Sequence, residues 1–168
     1  MNPSTVYISL GSNIEPEKNL RQAVGLLRGQ TTLLAISSIY RTAPQGFTQQ
    51  DDFFNCAVQI ETTLDPVTLK HQVLDWIESQ LDRKRDPQNK NAPRTIDLDI
   101  SLWDHAVFEY GDKPWRIPDP DILRFAHVVI PLAELAPKYV HPVEKITLAE
   151  IASGFDASGF QRSPFPSN

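Results

Sequence analysis

Residues 53–62 constrain the fold most. Phe54, Cys56, Val58 and Ile60 alternate with Phe53, Asn55, Ala57, Gln59 and Glu61, and a period of two puts the two sets on opposite faces of a strand. A strand of this kind must bury one face against a core. The same alternation returns at 95–103. There Ile96, Leu98, Ile100 and Leu102 form one face, and Thr95, Asp97, Asp99 and Ser101 the other. Val6 to Leu10 reads as a short buried strand closed by Gly11-Ser12-Asn13, and Leu33 to Tyr40 as a β-rich run.

Two helical patterns lie between these strands. Pro16 suits a first helical turn, and Leu20, Ala23, Val24 and Leu27 recur at helical spacing. Asp65-Pro66 is an N-cap followed by proline, and Leu69, Val73, Trp76, Ile77 and Leu81 make a second apolar stripe. The order is βαββαβ. It predicts an α+β protein with a ferredoxin-like core: an antiparallel sheet, helices packed on one face, and long active-site loops. Residues 1–155 are expected to form one domain, with 104–142 decorating the sheet. Residues 156–168, rich in Ser, Pro, Gly and Phe, are expected to be a loose tail.

Composition narrows the function. The chain has 168 residues, 40% apolar and 22% charged, which excludes a wholly disordered chain. No run of about 20 apolar residues is present, so no membrane span or membrane partner is expected. A net charge of −5 argues against a nucleic-acid partner. The single cysteine, Cys56, excludes an internal disulfide and a cysteine-rich zinc site. A reducing cytoplasm is the expected compartment, and a monomer the expected state.

The charge is unevenly spread. Arg83, Lys84, Arg85, Lys90 and Arg94 face a single acid, Asp86, within 83–94, and Asp97 and Asp99 follow at once. The strand period sets those two carboxylates on one face, about 7 Å apart. A D-x-D pair by itself is an ordinary solvated strand edge. Beside a cationic loop it has the makings of a Mg²⁺ site, because few hard oxygen ligands leave room for water and phosphate oxygens. No Walker-type G-x-x-x-x-G-K-[ST] occurs. Asn55 and Phe53 share the strand face opposite the buried one, where an amide and an aromatic plane suit a flat heterocycle.

These residues together resemble a known family, the 6-hydroxymethyl-7,8-dihydropterin pyrophosphokinases of folate biosynthesis. The resemblance spans about Val6 to His141. It is carried by Tyr7-Ile8-Ser9-Leu10-Gly11-Ser12-Asn13, Ser38-Ile39-Tyr40-Arg41-Thr42, Phe53-Phe54-Asn55-Cys56-Ala57-Val58, Pro93-Arg94-Thr95-Ile96-Asp97-Leu98-Asp99 and Pro131-Leu132-Ala133-Glu134-Leu135-Ala136-Pro137. It implies a ferredoxin-like fold and Mg²⁺-dependent transfer of pyrophosphate from ATP to the pterin hydroxymethyl, leaving AMP. It further implies that Asp97 and Asp99 hold two Mg²⁺ ions, and that Arg83, Arg85 and Arg94 join them as catalytic groups. Thr42, Gln45, Phe53, Asn55 and His127 would bind the pterin. Glu78, Arg85, Lys90, Arg94 and Arg124 would bind ATP.

The chain departs from the family pattern in places. Asn91-Ala92 replace Trp-Gly before Pro-Arg-Thr, Asp119 replaces the histidine after Pro118, Arg124 comes one position early, and His127 stands where an aromatic stacks on the pterin. Two alternatives therefore stay open: a paralogue acting on a different pterin, or a catalytically silent pterin- or nucleotide-binding module.

Overall fold

A computed structural model describes residues 2–44 and 47–167. A sheet forms the centre, with β1 (Ser4–Ser12), β2 (Thr32–Ile36), β3 (Ile39–Thr42), β4 (Phe53–Thr62) and β5 (Asp97–Trp103). Its path is β5-β1-β4-β3, and β2 also pairs with β4; every pairing is antiparallel. The β-rich run at 33–40 is broken into two strands at Ser37, whose amide donates to Ala57 O and whose hydroxyl accepts from Ala57 N.

One face of the sheet follows the alternation. Val6, Ile8 and Leu10 of β1, Cys56, Val58 and Ile60 of β4, and Leu98 and Ile100 of β5 are buried together. They lie against Leu20, Ala23, Val24 and Leu27 of α1 (Pro16–Gln30) and Leu69, Val73, Leu74 and Ile77 of helix 66–80. Burial pushes the Cys56 thiol up to about 12, so it stays an unreactive core group. Asp65 caps helix 66–80 as its residue type predicts, its carboxylate accepting from Thr68 N at 2.9 Å.

The expectation of helices on one face is corrected. Tyr7, Ala57 and Leu102 point to the other face and are buried under the helices Ala126–Leu135 and Leu148–Ser153, against Val128, Val129, Leu132, Leu148 and Ile151. Leu102 reaches that face because the β1–β5 register slips between Tyr7 and Ile8, which flips the alternation after Ile100. Trp103 is turned to the first core in exchange. The second helix layer covers only half of this face. The other half, carrying Ser9, Gly11, Asn55, Asp97 and Asp99, is left open.

The loose-tail expectation is corrected as well. Gln161–Ser163 form β8, which pairs with β3 through Ile39↔Ser163, Tyr40↔Arg162 and Arg41↔Gln161. Arg162 also pairs with Glu134 at 3.1 Å. A remaining two-stranded unit, β6 (Phe108–Tyr110) and β7 (Trp115–Ile117), stands beside β5. Among the described residues no helix is long and apolar enough to cross a membrane.

Candidate active site

The open half of the sheet is a row of short polar groups set by register. Gly11 lies opposite both Asn55 on β4 and Asp97 on β5, and Ser9 lies opposite both Ala57 and Asp99. Asn55 and Asp97 are thus two strands apart, about 10 Å at the usual strand spacing. Gly11 keeps the row clear, since a Cβ there would meet Asn55 Oδ1 at 3.1 Å. The Asn55 amide is buried and donates to Thr42 Oγ1 at 3.2 Å, which fixes its orientation.

Two lobes open from this row. The first, a cleft of about 220 Å³, is walled by Gly11, Thr42, Phe53, Asn55, Phe125 and His127, and it reaches Arg94, Asp97 and Asp99. The His127 ring is stacked with Phe125, centroids 5.2 Å apart. Burial holds His127 below the ordinary histidine range, so near neutral pH the ring is uncharged. The second lobe, about 340 Å³, is walled by Lys70, His71, Asp75, Glu78, Arg83 and Arg85 and by Lys113 and Trp115. Asp97 and Asp99 line both lobes and form the wall between them.

Charges around that wall are tightly arranged. Asp97 pairs with Arg94 at 3.0 Å. The Arg94 guanidinium also lies over the Phe53 ring, 5.4 Å from its centroid, and its backbone N–H donates to Asn13 Oδ1 at 2.8 Å. Asp99 faces the cleft with its residue exposed, yet the protein atoms gathered around it and then the neighbouring Asp97 charge push its carboxyl up. Glu78 is buried, accepts from Leu98 N at 3.2 Å and pairs with Arg85 at 2.9 Å; burial, then Asp97, raises it. Arg83 reaches the second lobe with its Nε buried and without a hydrogen-bond partner. Such an orphaned donor is a place for an anion. Burial raises Asp119 to about 6.

Most residues singled out in the sequence meet here. Thr42, Phe53, Asn55, Arg94 and His127 share the first lobe, Glu78, Arg83 and Arg85 the second, and Asp97 and Asp99 join the two. Lys90 and Arg124 line neither lobe. The Lys90 carbonyl accepts from Arg94, and Arg124 is an exposed partner of Asp121 at 3.6 Å. Gln45 lies outside the described residues. Sequence reasoning missed Lys70, Lys113 and Trp115. Trp115 is placed by the turn of the β6–β7 hairpin, where Gly111 has φ 75° and a Cβ would strike the indole.

Loop anchoring joins the sequence motifs. The Asn13 amide donates to Gln50 Oε1 at 2.6 Å, and Gln50 donates to Asn91 O at 2.7 Å, so Gln50 ties β1's end to loop 83–94. Glu134 accepts from Ser38 N at 2.6 Å and from the Tyr40 hydroxyl at 2.7 Å, bracing the strand that ends at Thr42.

Fold and cleft define an α+β protein with a two-lobed, acid-walled cleft on the uncovered half of its sheet. Residues 7–137 match the 7,8-dihydro-6-hydroxymethylpterin-pyrophosphokinase (HPPK) family, and the chain belongs to it. It is 41% identical over 132 residues to the 2-amino-4-hydroxy-6-hydroxymethyldihydropteridine pyrophosphokinase of Bacillus subtilis, covering 77% of this chain and 76% of that protein. Identity to the enzyme of the same name from Methylorubrum extorquens is 37% over 159 residues, 93% of this chain and 96% of that one. A folic acid synthesis protein of Dictyostelium discoideum is 32% identical over 144 residues, but the chain spans only 21% of its length. A solved HPPK-DHPS structure in complex with substrates superposes over 96% of this chain with a TM-score of 0.78 at 11% identity, and the chain spans 48% of it. That last likeness is one of fold.

Proposed function

We propose that this chain transfers the pyrophosphoryl group of ATP to the hydroxymethyl oxygen of 6-hydroxymethyl-7,8-dihydropterin, giving the pterin diphosphate and AMP. The observation that carries this is the shared wall: Asp97 and Asp99 belong to both lobes. A group transfer between two bound substrates needs one place where both reacting ends meet.

The first lobe fits the pterin. Asn55 presents an oriented amide to the heterocycle edge, with Thr42 beside it, and Phe53 and His127 supply ring faces. Gln45 is assigned to the same edge by resemblance. The second lobe fits the nucleotide. Arg83 and Arg85 give guanidinium donors to the phosphates, Glu78 anchors Arg85, and Arg94 is assigned to ATP by resemblance, from the first-lobe side of the shared wall where it pairs with Asp97. Lys90 and Arg124 would reach ATP only by moving from the positions described.

Magnesium fits the donor set. Among the described residues no group of three or more His, Cys, Asp or Glu converges as a cage. Two carboxylates on one strand face leave most coordination positions to water and phosphate oxygens, the pattern Mg²⁺ favours. Asp97 and Asp99 would hold two such ions, whose charge would neutralise the phosphates. The chain's own residues orient the hydroxyl toward the β-phosphorus, and loop 83–94 excludes water from the join. The strand order and the helices over the first core support a ferredoxin-like arrangement, elaborated by the second helix layer. We place the activity in the cytoplasm, in a monomer.

The test is a product assay with ATP, magnesium and 6-hydroxymethyl-7,8-dihydropterin, resolving AMP, ADP and pterin diphosphate by chromatography. Pterin-dependent AMP that disappears with EDTA is expected. ADP in its place, or no pterin-dependent product from folded protein, overturns the proposal.

A further inference from the structure

Among the described residues, Lys70 alone of the lysines and arginines is buried, at 5% exposure. It sits on the first turn of a π-helical stretch, Leu69–Leu74, inside helix 66–80. The apolar stripe read from the sequence passes through Leu69 and Val73. The wider turn adds a residue to each repeat and brings Lys70 to the flank beside β5, in line with Glu78. Its ammonium is 3.1 Å from Asp75 Oδ1 and 5.5 Å from the centre of the Trp115 ring. Lys113 Nζ lies 5.6 Å from the same ring.

The fold does not need this charge. Asp75 is partly exposed and already has His71 Nδ1 at 2.8 Å. Burying an ammonium is costly, and an apolar side chain of the same length is often neutral or stabilising at such a site. The ammonium has three donors, and among the described residues Asp75 is the one ion-pair partner it shows within range. It lines the second lobe together with Arg83, Arg85, Asp97 and Asp99. π-Turns within α-helices occur often at functional sites.

We infer that Lys70 is a nucleotide-binding residue of this cleft, meeting the polyphosphate from the helix wall and adding to the arginines of loop 83–94. Asp75 and the Trp115 face hold the ammonium in place, so its charge is set before the ligand arrives. The inference rests on the nucleotide half of the proposed function and deepens it.

The test is calorimetric and needs no turnover. A non-hydrolysable ATP analogue with magnesium, and adenosine alone, are titrated into wild type, Lys70→Met and Lys70→Arg. Lys70→Met should weaken the triphosphate at least about tenfold and leave adenosine unchanged, and Lys70→Arg should recover most of the loss. Unchanged triphosphate affinity in Lys70→Met overturns the inference. So does a parallel loss of adenosine binding, or no recovery in Lys70→Arg, since either makes Lys70 a packing residue. Wild type that binds the analogue but makes no pterin-dependent AMP overturns the proposed function instead.

Discussion

The two lobes are built differently. The first is made on strands: Thr42, Phe53 and Asn55 come from β3 and β4, their positions fixed by register and by the Asn55–Thr42 hydrogen bond. The second is made from a helix flank, a hairpin and a cationic loop, and its arginines are long side chains, with Arg85 62% exposed. A rigid heterocycle can be recognised by groups fixed in advance. A flexible polyphosphate is better met by long side chains that close around it, at the expense of ordering them. The contrast is sharpest in Lys70, the one cation of the second lobe that is buried.

Three perturbations test this division, in order of size. Asp97→Asn or Asp99→Asn removes a charge common to both lobes and should lower AMP formation roughly a thousandfold, the scale of losing a major electrostatic group. Turnover within a few-fold of wild type would sink the shared-wall reading. Asn55→Ala touches only the strand-built lobe. It should raise KM for the pterin about tenfold or more, while KM for ATP stays put. An equal rise in both would mean that the lobes are not separable.

The smallest effect lies outside both lobes. His141 is buried and its Nδ1 accepts from Val143 N and Glu144 N at 3.2 and 3.0 Å. Burial holds its ring below the ordinary histidine range. As pH falls through that ordinary range, the unfolded chain takes up the proton first, so this group's stabilisation is complete above it and is lost below. Asp119, raised by burial to about 6, pulls the other way at the acid end of that range. His141→Asn keeps an acceptor for the two amides but cannot titrate. Comparing melting temperatures at about pH 7.5 and about pH 5.5, the variant should lose less stability on acidification than wild type, with the pterin and ATP KM values unchanged. An identical slope would show that His141 does not titrate on unfolding.

What the sequence disclosed follows the range of the interactions. Period-two patterns in β4 and β5 and the stripe in α1 are local, and they brought Asn55, Phe53, Asp97 and Asp99 to one surface. Leu102 escaped because a bulge is set by the partner strand. The second helix layer escaped because the polar end of the sheet face hid that Tyr7 and Ala57 at its other end are buried. β8 needs only three residues and is stabilised by a strand some 120 positions earlier, as the Arg162–Ser38 hydrogen bond shows with a separation of 124. Lys70 and Trp115 depend on a π-turn and a hairpin, neither of which leaves a periodic mark. Trp76, counted in the apolar stripe, is 37% exposed for the same reason: the π-turn shifts the phase of the helix.

Both faces of β4 are committed, Cys56, Val58 and Ile60 to one core and Ala57 to the other, with Asn55 in the cleft. A one-residue insertion or deletion there would exchange these faces beyond the change and spoil two cores together with the amide. Descendants of this chain can therefore alter or lose chemistry by substitution around the cleft and by length changes in its loops, but not by length changes in this strand. A folded relative that has drifted to a new ligand should still have β4 at its present length, and its divergence should be concentrated in loops 43–52 and 83–94.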